Sequence, residues 1–113
     1  MLHKEVCEAC RGDVPSMSRH DANLLLGELP GWELLEEGVG LVLKRGFEFS
    51  NFVSAQSFAN RVGNMAEELD HHPRIVLEWG RVEVVWWTHK INGLHRNDFI
   101  AAAKTSELFE SEL

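Results

Sequence analysis

Features of membrane, secreted and nucleic-acid-binding proteins are scarce in this sequence. Its 113 residues hold only two cysteines, and no apolar run approaches the length that spans a bilayer. The N-terminus, MLHKEVCEACRG, lacks the apolar core of a signal peptide. Lysine and arginine total 11 against 18 acidic residues and form no run, which disfavours binding to a phosphate backbone. We therefore expect a cytoplasmic protein that binds neither a membrane nor a nucleic acid.

The residues that are present fit one globular domain. Apolar residues make up 44% of the chain and include four tryptophans, which argues against disorder. A chain of 113 residues can build a core without disulfide bonds or metal ions. It contains no repeat and no internal linker, so we expect a single domain over residues 1–113. We expect residues 1–15, which form a polar lead, to be a mobile arm.

Cys7 and Cys10 form a Cys-x-x-Cys pair in this N-terminal arm. A structural zinc site needs two further ligands at suitable spacing, and the sequence has no second pair of this type. A thioredoxin-like redox motif lies between a strand and a helix, whereas this pair lies in a polar lead. Two interpretations stay open: two reduced thiols on a mobile arm, or a metal clip completed by His3 or His20.

Helix and strand signals alternate along the first half of the chain. Ser18 is followed three residues later by Asp21, a capping box that opens a predicted helix over residues 21–29. Strands are predicted near residues 32–36 and 40–49, because alternating apolar residues flank a glycine turn there. These signals predict one helix followed by two antiparallel strands.

The second half of the chain repeats this alternation of helices and strands. Apolar residues recur every three or four positions up to Leu69, which predicts a helix of roughly 18 residues. Residues 75–79 and 82–88 then read as a hairpin, and a last helix begins near Asp98. The resulting fold class is α+β, a two-layer sandwich with a four-stranded antiparallel sheet and about three helices packed on one face.

Two residues fit these elements poorly. Arg45 falls in the apolar row of its strand, which indicates a bulge or a sheet edge. Gly63 lies inside the long helix, where glycine costs about 1 kcal/mol relative to alanine. We expect close packing against a neighbouring element to explain that glycine.

The most reactive side chains are expected at one end of the sheet. His71 and His72 follow the C-terminus of the long helix, and Glu67 lies one turn before them. His89 ends the last strand, which returns beside the start of the hairpin, and Asp98 begins the last helix. We therefore expect three imidazoles and the carboxylate of Asp98 to converge there, with Glu67 as a further candidate.

Three interpretations of this cluster stay open from spacing alone. General acid–base catalysis suits imidazoles, because they give and take protons near neutral pH. Metal binding is possible with three histidines and an acid, although no His-x-x-x-His or His-x-His pattern is present. The third interpretation is structural: a helix-capping histidine, a surface histidine and a strand-end histidine that never meet.

The motifs carrying these side chains resemble a known family. The segment EELDHHP over residues 67–73, Thr88-His89, Gly93-Leu94 and Asp98 are similar in order and spacing to the pterin-4a-carbinolamine dehydratases. The resemblance extends from Trp32 to the last helix. The forms CEAC and GLHRNDF resemble the bacterial branch associated with phenylalanine hydroxylase.

This resemblance implies an enzyme that eliminates water from a 4a-hydroxytetrahydropterin to give quinonoid dihydropterin, without a metal ion or redox cofactor. It implies that the histidines move the protons, chiefly His72 and His89, and that Asp98 orients and charges a histidine. The residues that it points to are His71, His72, His89 and Asp98 for catalysis, and Glu67, Trp32 and Thr88 for substrate binding.

The start of the last helix departs from the family pattern. Animal members have Ser or Thr after Gly-Leu and Arg directly before the aspartate, whereas this chain has His95 and Asn97 there. We expect a weaker helix cap, at a cost of about 1 kcal/mol. Arg96 stands one place earlier than the family arginine, so its reach to the site is open, and His95 is a further candidate for the pocket.

The resemblance also implies partners. It indicates a homo-oligomer, a dimer or a tetramer built by helix packing, and an aromatic amino acid hydroxylase as the enzyme whose pterin is recycled. Other members of the family serve as a dimerisation cofactor of a transcription factor or as an assembly chaperone. A non-catalytic protein-binding module is therefore the alternative function.

Overall fold

The computed structural model describes residues 1–7, 15–38 and 40–111, which form a four-stranded antiparallel sheet and three α-helices. The predicted α+β fold is confirmed. Two short 3-10 turns, Leu2–Lys4 and His89–Ile91, accompany these elements. In chain order the elements are α1 (Arg19–Leu26), β1 (Glu33–Glu37), β2 (Gly40–Glu48), α2 (Phe52–Leu69), β3 (Arg74–Glu78), β4 (Arg81–Trp86) and α3 (Arg96–Glu110).

The sheet has the strand order β1-β2-β4-β3, so the two hairpins meet through their second strands. In that central pair Leu43 lies opposite Trp86 and Phe47 lies opposite Val82, and all four are buried. Phe58 of α2 packs on Phe47, with 4.8 Å between ring centroids. The core therefore lies between the central strands and the helices, and the hairpin ends are left for the site.

The ends of α1, β3 and β4 differ from the sequence prediction. Strand β4 ends at Trp86 rather than at residue 88. Helix α1 ends at Leu26 rather than near residue 29, because the chain turns at Gly27, where the backbone N–H bonds to the carbonyl of Leu25. Trp79 belongs to the turn between β3 and β4 instead of the strand, and it is 69% exposed. The apolar periodicity continues past the ends of α1 and β3, so both predicted elements ran into the turn that follows.

Arg45 marks a local sheet edge without a bulge. The pairing of β2 with β4 runs through Arg45 without interruption, whereas the pairing of β1 with β2 ends at Lys44. The guanidinium lies 4.5 Å from the centre of the Phe47 ring and donates to Ser106 Oγ at 3.0 Å. Partial burial lowers the pKa of Arg45. An arginine fits this apolar row because its head group finds a ring face and a hydroxyl.

Helix α2 is the longest helix described, and the predicted length of 18 residues is confirmed. We expected a neighbouring element to pack closely on Gly63. This expectation is wrong, because a Cβ at this position would meet no atom within 4 Å. None of the helices in the described residues has both the length and the apolarity needed to cross a membrane.

The first seven residues are packed on α3, which corrects the expected mobile arm for this part of the chain. Leu2 is 3% exposed and belongs to the core. Lys104 Nζ donates to the carbonyl of His3 at 2.7 Å, and Arg96 makes two hydrogen bonds of 2.8 and 2.7 Å to the carboxylate of Glu5. Residues 8–14, which include Cys10, lie outside the described residues.

Candidate active site

The end of α2 sets the direction of the two adjacent histidines. Asp70 caps the helix in the left-handed conformation, with φ 52°. The backbone N–H groups of Asp70 and His71 bond back to the carbonyl of Ala66, which satisfies the end of the helix. The chain then leaves the helix at once, so His71 and His72 meet different partners.

Asp98 is the centre of a buried hydrogen-bond cluster. Its side chain is 0% exposed, and Oδ1 lies 2.6 Å from His71 Nε2. Oδ2 accepts from Thr88 Oγ1 at 2.7 Å and from the backbone N–H of His95 at 3.0 Å. An ionised carboxylate is an acceptor only, so three donors suit it. One side chain thus joins the start of α3, the segment after β4 and the segment after α2.

His71 is also fixed on its ring face. Its imidazole stacks on Trp86, with 5.4 Å between ring centroids and 23° between planes. Trp86 is fully buried and donates from Nε1 to Thr105 Oγ1 of α3 at 3.1 Å. The ring of His71 is therefore held by a carboxylate at its edge and by an indole at its face.

His72, unlike His71, faces solvent. Its ring is hydrogen-bonded through Nε2 to Glu67 Oε2, and its side chain is 56% exposed. Glu67 belongs to the last turn of α2, so the helix supplies the partner of a histidine that lies just beyond it. Glu67 therefore lies next to the histidine pair, through its contact with His72.

His89 lies apart from the Asp98 cluster. It is exposed and begins the 3-10 turn after Thr88, which bridges to Gly93. Its ring stacks on Trp87, with 4.4 Å between centroids and 28° between planes. Among the described residues, the His89 ring makes no hydrogen bond to Asp98 or to another histidine. The structure brings His71, Thr88 and Asp98 into contact and leaves His89 on a separate support.

Trp32 is placed away from these groups. It is buried in the core and donates from Nε1 to Ser106 Oγ at 2.7 Å. Ser106 is eight residues beyond Asp98 on α3, a distance of about 12 Å along a helix. The predicted contact of Trp32 with substrate stays a prediction, and the contacts described here are those of a core residue.

The start of α3 is well capped, and the expected weak cap is wrong. His95 occupies the N-cap, where its ring Nδ1 accepts from the backbone N–H of Asn97 at 3.0 Å. Asp98 completes a capping box through its bond to the His95 N–H. An imidazole nitrogen does here what a hydroxyl oxygen does at other helix starts. His95 approaches the site through its backbone.

Arg96 is directed away from the histidines. Its guanidinium binds the carboxylate of Glu5 through two nitrogens, which lowers the pKa of Glu5 and raises that of Arg96. The sequence leaves open whether Arg96 reaches the site. Among the residues that the structure describes, its guanidinium binds Glu5 and no histidine. The arginine fastens the N-terminal segment instead.

The predicted metal clip finds no counterpart in the parts of the chain that the structure describes, where no group of three or more His, Cys, Asp or Glu side chains could hold an ion. The thiol of Cys7 lies 3.8 Å from the carbonyl oxygen of Asn97, and burial raises the pKa of Cys7. His3 pairs with Glu107 at 3.1 Å. Cys10 lies outside the described residues, so the clip stays a prediction.

Sequence reasoning left the two adjacent tryptophans without a role, yet each stacks on a histidine. The predicted strand runs to His89 and puts Trp87 and His89 in one row. This is wrong, because β4 ends at Trp86 and His89 begins a 3-10 turn, so strand alternation does not explain their stack. The stack of Trp86 on His71 depends on how β3 meets β4, which the sequence does not state.

Comparisons with known proteins identify the family of this chain. Residues 15–108 match the family described as pterin 4 alpha carbinolamine dehydratase. The chain is 51% identical to a protein of Saccharophagus degradans over 96% of each chain. It is 49% identical to one of Marinobacter nauticus, over 96% of this chain and 97% of the relative. Both relatives are provisionally named pterin-4-alpha-carbinolamine dehydratase.

Two solved structures share the fold. A transcriptional coactivator/pterin dehydratase from Brucella melitensis has a TM-score of 0.76 at 30% identity, covering 83% of this chain and 98% of its own. A pterin dehydratase-like protein identified as a RuBisCO assembly factor in the alpha-carboxysome has a TM-score of 0.58 at 18% identity, covering 69% and 88%, and shows the fold alone. By sequence match and fold, this chain belongs to the pterin-4a-carbinolamine dehydratase family.

Proposed function

We propose that this chain eliminates water from a 4a-hydroxytetrahydropterin and releases quinonoid dihydropterin. The observation that carries the proposal is the buried carboxylate of Asp98, which holds His71 beside the solvent-facing His72. A buried acid that is itself held by several hydrogen bonds can fix the orientation of a reactive ring. Membership of the family supplies the substrate class.

The reaction needs two proton movements and no change of oxidation state. The C4a–O bond of the substrate breaks, and a double bond forms between N5 and C4a. The N5 proton passes to a neutral imidazole, and an imidazolium gives a proton to the departing hydroxyl, which leaves as water. Positioned acids and bases of this kind contribute about 10²–10⁴-fold to a rate.

The exposure of the three histidines divides their roles. His72 and His89 are open to solvent and can meet a bound pterin, so they transfer the protons. His71 is held by Asp98 and Trp86, so it positions the substrate or substitutes for a partner according to which face bears the hydroxyl.

The substrate-binding residues follow the same logic. Glu67 is exposed and already accepts a hydrogen bond from His72, so its carboxylate can also accept from the amide and amino donors of a pterin. Thr88 is buried and its hydroxyl is used by Asp98, so it acts by holding that carboxylate. The contact of Trp32 with the substrate stays a prediction, since its indole N–H is bonded to Ser106.

In the cell the product would be reduced again and reused. We propose an aromatic amino acid hydroxylase as the enzyme that generates the substrate, and a homo-oligomer as the working form. Sedimentation at a mass of two or four chains would support the oligomer, and a single-chain species at micromolar concentration would contradict it.

The alternative function is a non-catalytic protein-binding module. It draws support from the Brucella melitensis protein, whose name combines a transcriptional coactivator with a pterin dehydratase. A module of that kind has no chemical need for the Asp98 cluster. Loss of the histidines would therefore leave its binding unchanged.

The test is the loss of freshly generated 4a-hydroxytetrahydropterin, followed by absorbance for each 4a-stereoisomer. The native protein is compared with His71→Ala, His72→Ala and His89→Ala, and His20→Ala on the exposed side of α1 is the matched control. We expect acceleration by the native protein and the control, and losses of about 10²-fold or more in His72→Ala and His89→Ala. His71→Ala should lose more on one stereoisomer than on the other. No acceleration above the spontaneous rate would overturn the proposal.

A further inference from the structure

The three histidines differ in what orients their rings. His71 is bonded to Asp98, and His72 is bonded to Glu67. Within the described residues, the ring of His89 has no hydrogen-bond partner, and its contact is the stack on Trp87 at 4.4 Å. An exposed ring on a short turn samples several rotamers unless a neighbour restricts it. The orientation of His89 therefore depends on Trp87.

Trp87 is itself held in place. Its side chain is 8% exposed, and the guanidinium carbon of Arg74 lies 5.5 Å from the centre of its ring. Arg74 Nη2 donates to Glu37 Oε1 at 3.1 Å, which anchors the cation from β1. A cation over an indole face is attracted by the ring. Glu37, Arg74, Trp87 and His89 thus form a continuous chain of contacts, which we call the His89 support.

The His89 support begins where β4 ends. Trp86 is the last residue of β4 and donates to Thr105 of α3, and Trp87 follows it as a buried member of the hydrophobic core. Arg74 also follows His72 by only two residues, so the support connects the segment of the histidine pair with the segment of His89.

We propose that Trp87 is a positioning residue for His89, and that the pair of Arg74 and Glu37 holds the Trp87 ring in the orientation that this task requires. The inference rests on the proposed function, because it assigns Trp87 to the same proton transfer. Trp87 acts through His89 and does not touch the reacting atoms. A displaced imidazole costs turnover, and a misplacement of about 1 Å can cost about 10²-fold.

The first test compares kcat and KM of Trp87→Phe and Trp87→Leu. Phenylalanine keeps an aromatic face for His89, whereas leucine keeps apolar volume without one. We expect Trp87→Leu to lower kcat about tenfold or more with a smaller change in KM, and Trp87→Phe to retain most of the activity. Trp79→Leu, at the exposed turn between β3 and β4, is the matched control and should behave as the native protein.

A double variant separates positioning from general damage. If Trp87 acts through His89, then Trp87→Leu in a His89→Ala background should lower kcat no further. A further tenfold loss in that background would overturn the inference. Arg74→Ala, on an exposed edge strand, offers a variant that does not disturb the core. It should lower kcat severalfold, whereas Arg81→Ala, an arginine of similar exposure paired with Glu48, should not.

A spectroscopic readout makes the two proposals fail separately. In the native protein the ring protons of His89 should be shifted upfield in NMR by the stacked indole, and Trp87→Leu should remove that shift. An active native enzyme whose His89 signals and kcat are unchanged in Trp87→Leu would overturn this inference and leave the dehydratase standing. A native protein without activity would overturn the proposed function, and the positioning role with it.

Discussion

At the scale of single residues, Asp98 is the residue that joins the site to the fold. It receives donors from His71, from Thr88 and from the backbone of His95, and solvent does not reach it. The three donors come from segments that are separate in the chain. Any change at this residue therefore acts on the site and on the fold together.

Asp98→Asn should reduce both activity and stability. Asparagine offers one carbonyl oxygen and an N–H₂ group, so at least one of the three donors would face another donor. We expect kcat to fall about 10²-fold and the free energy of unfolding to fall by about 1–3 kcal/mol. The matched control is Asp21→Asn, which occupies the same third position of α1 but is exposed. Equal effects of both substitutions, measured by turnover and urea unfolding, would contradict this role.

The pair of Glu5 and Arg96 predicts a pH dependence of stability. The hydrogen bonds from Arg96 lower the pKa of Glu5 in the folded state below its ordinary value of 4.5. The stabilisation is therefore complete above pH 4.5 and is lost as the pH falls through the lower folded-state pKa. Glu5→Gln should lower the melting temperature at pH 7, and the difference from the native protein should vanish at more acidic pH. Glu33→Gln, an exposed acid outside this pair, serves as the control; a pH-independent difference for Glu5→Gln would refute the linkage.

These residue-scale contacts were only partly accessible from the sequence. Hairpin geometry brings the segment after α2 beside the segment after β4, but Asp98 belongs to α3, so its contact with His71 depends on how α3 packs. The three-way sharing of Asp98 is not encoded in any local pattern. It depends on where the side chains of His71, Thr88 and Asp98 point once β3 has paired with β4 and α3 has packed beside them.

At the scale of elements, α2 shows how far periodicity leads. Its apolar residues Ala55, Phe58, Val62 and Ala66 are buried, as a stripe of period 3.6 requires. Its end at Leu69 follows from Asp70, which takes the left-handed conformation that asparagine and aspartate tolerate better than most residues. The end of α1 and the place of Trp79 were missed because turn geometry overrides a pattern that continues past it.

Gly63→Ala should stabilise the protein. The added methyl group would meet nothing within 4 Å, and alanine costs less conformational entropy than glycine in a helix. We expect a gain of about 0.5–1 kcal/mol in the free energy of unfolding, measured by urea denaturation. The control is Gly40→Ala, which should destabilise, because Gly40 has φ 102° and its Cβ would lie 2.3 Å from the carbonyl oxygen of Asn92. A loss of stability in Gly63→Ala would indicate that another chain packs on this part of α2.

At the scale of the whole molecule, the sheet brings together side chains that are distant in the chain. His71 and Asp98 are separated by 27 residues, and Arg74 and Glu37 by 37. The order of helices and strands could be predicted from period and turn residues. The His89 support could not be predicted, because it depends on a contact between side chains of β1 and β3.

The proposed function uses the same arrangement. In that proposal, two histidines open to solvent and a third fixed by a buried acid move protons on the bound substrate. The N-terminal segment and the cap of His95 hold the start of α3, and α3 holds Asp98. The contacts that stabilise the start of α3 therefore also hold Asp98 in position.

The most direct test of the account is the rate of water loss from 4a-hydroxytetrahydropterin, measured by stopped-flow absorbance with the native protein and with the double variant His71→Ala/His72→Ala. We predict a rate well above the spontaneous one for the native protein and a return to the spontaneous rate for the double variant, with both proteins folded by circular dichroism. A native protein that leaves the spontaneous rate unchanged, or a double variant as fast as the native protein, would contradict the assignment of this site.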